Sequence, residues 1–523
     1  MKVLPGILFT AALACASSAQ AQSAAGTQAI DRVFDQVYER YRLPGMALGI
    51  VQHGEVIYVR TAGELIAASG KPVNADSLFK IASNTKAMTT GVLARLVQQG
   101  KLNWDDPVTK YLPQLRMSDP WITREIQVRD LLIHNSGLRE GAGDLMLWPE
   151  PNHFTRADII AALQYLKPQH SFRSRYDYDN LMYVVAGEVA AAASGVPYED
   201  LVRREVFAPL GMTRCQVGTW NRDAVGNVAQ PHMRDAERNV PIDRDEVVIS
   251  KITSAAAGGV RCSLNDMLTW ARMWLNPQLK SDRGEPWLAT AQRDTLWAVQ
   301  MPMPLSDRQR AWDGSRFNAY GYGWRLSDVD GVLRVAHTGT LSGMYSALTL
   351  LPEKQTGFVF LINGEGSDAR TVLNEVLVRQ FTAPDSTLSV AHYADELDKE
   401  EQQPKPSSVP DTSSRQPATP AALSQWLGRY RDPWFGEISI CSQGDRVRFV
   451  SAKSPQLSGD VMTVGPRLLV DWYDTSADAE PWLEFKAAAR GQATTLTLAK
   501  VDPEADFSND YEDLFFTRVG GCK

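Results

Sequence analysis

The chain has 523 residues, 44% hydrophobic and 22% charged, the balance of an ordinary soluble globular protein too long for a single small core. Its formal net charge is −7, with acidic and basic residues interspersed, which leaves no electrostatic footprint for nucleic acid. Two or more domains are expected.

The first residues combine Lys2, an apolar run from Val3 to Ala16 and the small-residue site Ala19-Gln20-Ala21, the pattern of an export signal cleaved after Ala21. That run is too short to span a membrane and no later stretch is long enough, so the expectation is a periplasmic or secreted chain without a transmembrane segment. Cys15 follows Ala12-Leu13-Ala14, a poorer match to a lipid-attachment signal, and a lipoprotein is the less favoured alternative.

Ile30, Val33, Phe34, Val37 and Tyr41 recur at helical spacing until Leu43-Pro44-Gly45 stops the helix. Two strand-like runs follow, Met46 to Gln52 and Val56 to Arg60, joined as a hairpin through His53-Gly54-Glu55. From Ser83 to about Trp274 the pattern is mostly helical. Strand signals return at Val332 to Ala336, Tyr345 to Leu351 and Gly357 to Asn363. Strands at both ends with helices between predict one antiparallel sheet with flanking helices and an all-helical insert, an α/β (α+β) domain.

Arg370 to Phe381 and Ser386 to Glu401 read as helices, after which Pro404, Pro406, Pro410, Pro417 and Pro420 fall among Ser, Thr and Gln as a linker. Beyond it lie short, partly alternating runs: Gly436 to Cys441, Arg446 to Ser451, Arg467 to Tyr473, Trp482 to Lys486, Thr494 to Val501 and Asp513 to Val519. They predict a small C-terminal all-β domain, barrel-like or a sandwich, with Trp426, Tyr430, Trp434 and Phe435 in its core. The division is therefore 1–21 signal, 22–384 main domain, 385–421 linker helix and Pro-rich linker, and 422–523 β domain.

Four cysteines follow the signal: Cys215, Cys262, Cys441 and Cys522. Of the three possible connectivities, Cys215 with Cys262 and Cys441 with Cys522 keeps each bridge inside one domain; four buried thiols are the alternative. The spacings fit no zinc motif, and neither a metal nor a cofactor is expected.

Two serine and lysine pairs share one spacing, Ser77 with Lys80 and Ser83 with Lys86. A serine hydroxyl needs a base within hydrogen-bond reach, and lysine serves only when burial or a nearby positive charge lowers its pKa. A spacing of three places both side chains on one face of a helix. After Ser83 the residues Met88, Val92, Leu93, Leu96 and Val97 keep helical spacing to Gly100, whereas Ser77 and Lys80 precede the helix in an extended approach. Ser83 with Lys86 is the better pair, although taken alone it is better explained as an N-cap serine followed by a surface lysine.

Companions decide the matter. Phe79-Lys80-Ile81-Ala82-Ser83-Asn84-Thr85-Lys86 resembles the F-x-I-x-S-x-T-K signature of the serine β-lactamase-related hydrolases: class C β-lactamases, penicillin-binding D,D-peptidases, D-aminopeptidases and related esterases. Asp105-Asp106-Pro107-Val108, Leu131 to Leu138, Ala257-Gly258-Gly259-Val260 and Tyr320-Gly321-Tyr322-Gly323-Trp324 are similar to further family stretches in the same order. The resemblance spans roughly residues 30 to 365. It implies a β-lactamase/transpeptidase-like fold. It also implies Ser83 as nucleophile, Lys86 and Tyr178 as proton carriers, and Asn180 as holder of the lysine or of a substrate amide.

The third family element, usually Lys-Thr-Gly, reads His337-Thr338-Gly339-Thr340 here. By resemblance these four meet the substrate, with the Ser83 and Thr340 amides as oxyanion hole. Histidine is shorter than lysine and, with a pKa near about 6.5, mostly neutral at pH 7, so an obligatory substrate carboxylate is not expected. Tyr178 beside a protonated Lys86 is expected to have its phenolate favoured. Asp179 is expected to favour cationic substrate groups. His134 is read as structural.

No G-x-S-x-G elbow, no H-E-x-x-H and no class A acylation glutamate is found, which leaves deacylation to Tyr178 and Lys86. The C-terminal β domain resembles one of unknown function often appended to these hydrolases. The expected function is a secreted serine hydrolase cleaving an amide or ester of a small molecule or short peptide, a cell-wall peptide among the candidates, through an acyl-enzyme. The alternatives are a penicillin or cell-wall peptide sensor without turnover, and a class C-like β-lactamase.

Overall fold

The computed structural model describes residues 27–522 apart from 243–244, 281–283, 385–388, 404–408, 475–476, 478 and 488–493. The export signal, Ser386, Pro404 and Pro406 lie outside the described residues. Among the described residues, no single helix is long and apolar enough to cross a membrane.

Helix α1 (27–40) leads into β1 (Gly45–Gln52) and β2 (Glu55–Gly63), which turn through His53 and Gly54 at φ of 51° and 83°, the doubly left-handed pair that suits a two-residue hairpin. The chain returns to this sheet much later, through β3 (Met301–Pro302), β4 (Asn318–Tyr320), β5 (Arg325–Val329), β6 (Val332–Leu341), β7 (Met344–Leu351) and β8 (Thr356–Ile362). The eight strands run antiparallel in the order β2-β1-β8-β7-β6-β5-β4-β3. β8 shows why its sequence is apolar throughout. Phe358, Phe360 and Ile362 join the layer of α1, α5 (Ser367–Thr382) and α6 (Val390–Gln402), while Val359 and Leu361 face the opposite core.

That second core contains α2 (Thr85–Gln98), α3 (Asn180–Ser194) and α4 (Leu264–Leu275). α2 is buried almost all round, so its apolar spacing is continuous rather than a stripe. The segment Phe79–Lys80 that precedes it pairs with Arg261–Cys262, and Cys262 is bridged to Cys215.

The C-terminal domain is a barrel of eight strands, β9 (Gly428–Asp432), β10 (Gly436–Gln443), β11 (Arg446–Ser451), β12 (Ser458–Val464), β13 (Arg467–Trp472), β14 (Pro481–Lys486), β15 (Thr495–Lys500) and β16 (Phe515–Gly520), closed by β12 on β13. Closure removes the exposed edges an open sheet would present. Tyr430, Trp434 and Phe435 are buried as expected, while Trp426 is half-buried and stacks on Phe485 with centroids 5.1 Å apart. Cys441 and Cys522 are bonded, so both bridges stay within a domain. β9 and β12 were not legible. In β9 only Tyr430 is apolar, because Arg429 and Arg431 point outward to Glu437 at 3.1 and 3.0 Å.

The barrel is docked on the main domain. Phe154 and Phe435 lie 5.6 Å apart, the His153 amide donates to the Lys453 carbonyl at 2.7 Å, and Lys453 pairs with Asp158 at 2.7 Å.

Candidate active site

Ser83 sits in a 3-10 turn, Ala82–Asn84, that feeds directly into α2, with Lys86 in the first turn of that helix. Ala82 has φ of 47°, a left-handed conformation that an alanine adopts only when its surroundings impose it. The surroundings are visible: the Ile81 amide donates to the Val260 carbonyl at 3.1 Å, Ser346 Oγ donates to the Ile81 carbonyl at 2.8 Å, and Asn84 Nδ2 donates to Ser346 Oγ at 2.8 Å. β6 presses on the same turn, since a Cβ on Gly339 would lie 2.1 Å from the Ile81 carbonyl oxygen. Only glycine permits that approach.

Lys86 is 0% exposed, and its Nζ donates to Ser83 Oγ at 3.1 Å, to Asn180 Oδ1 at 2.7 Å and to the Ala257 carbonyl at 3.0 Å. Burial brings its pKa down to about 7, with Arg325 lowering it further and Asp144 and Asp179 opposing. Asn180 is fixed in turn, its Nδ2 donating to Asp144 Oδ2 at 2.8 Å.

Tyr178 is 6% exposed and lines the same cleft as Ser83. Lys86 lies over the face of its ring, 4.8 Å from the centroid. The expectation of a favoured phenolate does not hold: burial pushes this phenol above its ordinary value, the neighbouring Tyr176 adds to that, and Lys86 is itself driven toward the neutral amine. His134 backs the tyrosine at 4.3 Å between ring centroids, and its Nδ1 accepts from the Asp179 amide at 2.9 Å, which is a structural role.

Asp179 does not face the cleft. Its carboxylate caps α3 by accepting from the Met182 amide at 3.3 Å and accepts from Ser136 Oγ at 2.7 Å, so the expected contact with a cationic substrate group is corrected.

Thr338 and Thr340 line the same cleft as Ser83, Tyr178 and Asn180, a cavity of about 470 Å³. His337 lies one layer back, 1% exposed, with Nδ1 on the Thr338 carbonyl at 2.7 Å and Nε2 on Tyr320 Oη at 2.8 Å. A carbonyl only accepts, so Nδ1 carries the hydrogen and Nε2 accepts from the phenol. Burial and the nearby Arg325 and Lys86 hold this imidazole well below its usual pKa. It is neutral and both nitrogens are engaged.

Two guanidinium groups were missed. Arg325, the residue after Trp324 on β5, lines the cleft over the Tyr178 ring at 5.8 Å, its Nε has no hydrogen-bond partner, and among the described residues it enters no ion pair. Arg370 of α5 lines the same cleft, donating to the Gly339 carbonyl at 2.9 Å and to Thr340 Oγ1 at 2.7 Å. Neither stands in a motif, and only the fold brings them beside 338–340. The C-terminal domain supplies Phe507 and Ser508 to the cleft wall, two residues that no sequence motif marks.

Ser77, the other serine of the two pairs, is buried and donates to Asn227 Oδ1 at 2.7 Å, while Lys80 pairs with Asp245 at 3.6 Å. They do not meet each other.

Comparison with known proteins agrees with this architecture. The family described as Beta-lactamase matches residues 30–382, and a domain of unknown function, DUF3471, matches residues 412–518. The chain is 35% identical over 201 residues to Esterase EstB of Burkholderia gladioli, covering 36% of this chain and 50% of that protein. It is 24% identical over 372 residues to the D-alanyl-D-alanine-carboxypeptidase/endopeptidase AmpH of Escherichia coli K12, covering 67% and 89%. The octameric penicillin-binding protein homologue from Pyrococcus abyssi superposes with a TM-score of 0.59 at 18% identity, covering 94% of this chain and 99% of that one, a likeness of fold that extends through both domains.

Proposed function

The chain belongs to the beta-lactamase family, and on that premise we propose that it is an exported serine hydrolase that cleaves an amide or ester bond through an acyl-enzyme on Ser83. The observation that carries the reading is the buried Lys86 amine 3.1 Å from Ser83 Oγ, held there by Asn180 and the Ala257 carbonyl. Neutral Lys86 takes the Ser83 proton as Oγ attacks the carbonyl carbon. The Tyr178 phenol, in the same cleft as Ser83 and with Lys86 over its ring, gives its proton to the departing nitrogen or oxygen and regains one from the lysinium. Water then attacks the acyl carbon by the same route in reverse. The amides of Ser83 and Thr340 receive the oxyanion, with Gly339 allowing the strand to approach.

Arg325 and Arg370 supply the positive charge that His337 lacks, which supports a substrate with an anionic or strongly polar group beside the scissile bond. The esterase and carboxypeptidase relatives are in keeping with ester and amide substrates. Two disulfides are in keeping with an oxidising compartment and hence with export. Turnover of p-nitrophenyl acetate and a D-amino acid p-nitroanilide by wild type but not by Ser83→Ala is the expected result. Equal rates in the two proteins would leave a sensor without turnover as the better account.

A further inference from the structure

The barrel domain is joined to the catalytic lysine by a continuous chain of side-chain hydrogen bonds. Ser508 Oγ, on the loop between β15 and β16, donates to Asp144 Oδ2 at 2.9 Å. The same oxygen accepts from Asn180 Nδ2 at 2.8 Å, and Asn180 Oδ1 holds Lys86 Nζ at 2.7 Å. Two residues on, Asp510 is buried and its carboxylate accepts from the Gly143 and Leu145 amides at 2.5 and 3.1 Å. Those amides belong to the 3-10 turn Asp144–Met146 and its preceding residue, so one loop both caps the turn that carries Asp144 and binds the Asp144 side chain.

The main domain is shaped to receive this loop. A Cβ on Gly141 would lie 2.5 Å from the Phe507 carbonyl oxygen, and Gly141 has φ of 72°, so that position is open both sterically and conformationally only to glycine. The Gly141 amide donates to the Tyr178 carbonyl at 2.9 Å, and the Phe507 ring meets the Tyr178 ring edge-on at 5.9 Å. Arg139 clamps the rim through Asp513 at 2.8 Å and Glu512 at 3.6 Å.

We propose that the C-terminal β domain completes the active site, with Ser508 as a positioning residue that fixes Asp144 and thereby orients Asn180 on Lys86. The domain of unknown function thus acquires a role: without its 506–510 loop the Asp144 carboxylate loses one of its two donors and the cleft loses the wall beside Tyr178. This inference rests on the hydrolase reading, since it assigns Ser508 a part in the same proton chemistry.

The direction of the effect follows from the charges around the lysine. Asp144 and Asp179 favour the ammonium, and Arg325 opposes it. The rings of Tyr178 and Tyr183 lie beneath Nζ at 4.8 and 5.2 Å as neutral phenols, and His134 and His337 nearby are held neutral. Burial pushes Asp144 well above the usual carboxylate range, with Asp510 and Asp179 adding to that, while the Asn180 and Ser508 donors favour its ionised form. Removing the Ser508 hydroxyl makes Asp144 harder to ionise, weakens its support for the Lys86 ammonium and moves the Lys86 titration to lower pH.

The test is the pH profile of kcat/KM for p-nitrophenyl acetate in the full chain, for wild type, Ser508→Ala and Ser508→Thr, with thermal unfolding recorded alongside. Ser508→Ala is expected to lose roughly tenfold at its best pH, a part of the 10²–10⁴ that positioned proton transfer contributes, and to shift its acid limb to lower pH. Ser508→Thr, which keeps a hydroxyl, is expected to restore the wild-type limb. An alanine profile superimposable on wild type, or one reduced in height with its limb unmoved, overturns the proposal. Absence of hydrolysis by wild type would instead overturn the hydrolase reading itself.

Discussion

Lowering the pH through the Lys86 titration is the perturbation that probes the base most sharply. In water a lysine amine with a pKa of about 10.4 is unprotonated in only about 0.04% of molecules at pH 7. Burial against Ser83, Asn180 and the Ala257 carbonyl brings Lys86 down to about 7, so about half the molecules carry a competent base at that pH. Rate then follows the free amine: about 10% of the plateau at pH 6 and about 1% at pH 5, rising to a plateau above pH 8. Because Tyr178 is pushed above its ordinary value by burial, its phenol stays protonated across this window and the plateau holds through about pH 9. The assay is kcat/KM for a neutral ester from pH 5 to 10, corrected for spontaneous hydrolysis and with Lys86→Ala as the blank. A limb that keeps rising to pH 10 would mean an unperturbed lysine or a phenolate base, and would refute the argument from burial.

Gly339→Ala places a Cβ 2.1 Å from the Ile81 carbonyl oxygen and must push β6 from the turn bearing Ser83; a displacement near 1 Å costs about 10²-fold in turnover, measurable by ester hydrolysis, while the fold remains by circular dichroism. Arg325→Gln is expected to lower kcat/KM for substrates with a carboxylate about tenfold or more beyond its effect on a neutral ester; equal losses on both would remove Arg325 from substrate recognition. Breaking either disulfide frees a separation of 47 or 81 residues, which loop entropy values at about 4 kcal/mol, so Cys262→Ser and Cys441→Ser should each lower the denaturation midpoint, by an amount that chemical denaturation reads directly.

The elements that position the nucleophile were legible because they are local. Ser83 and Lys86 lie one turn apart, Tyr178 and Asn180 flank a helix start, and the glycine at 339 announces a close approach on a strand. The sheet was legible in its long apolar members and not in β3, β4 or β5; in β5 Ser327 and Asp328 interrupt the alternation because they serve Arg334 and the Arg316 amide at 2.9 and 2.8 Å. The charges that tune the site were not legible, because they come from loops and from another domain. Asp144 stands in a loop with no periodicity, Arg325 follows a motif without being part of it, and Ser508 is a polar loop residue whose meaning depends on how a barrel docks. His337 and Asp179 sit beside the right motifs, yet their hydrogen bonds turn them inward. Position in a motif did not reveal direction.

Phosphonylation of the intact protein by a fluorophosphonate, followed by mass mapping of the modified peptide, tests the central claim most directly. A single adduct on Ser83, formed at a rate that falls below pH 7 and absent in Ser83→Ala, is the predicted result. An adduct on Ser77, or a folded protein that remains unmodified, would contradict it.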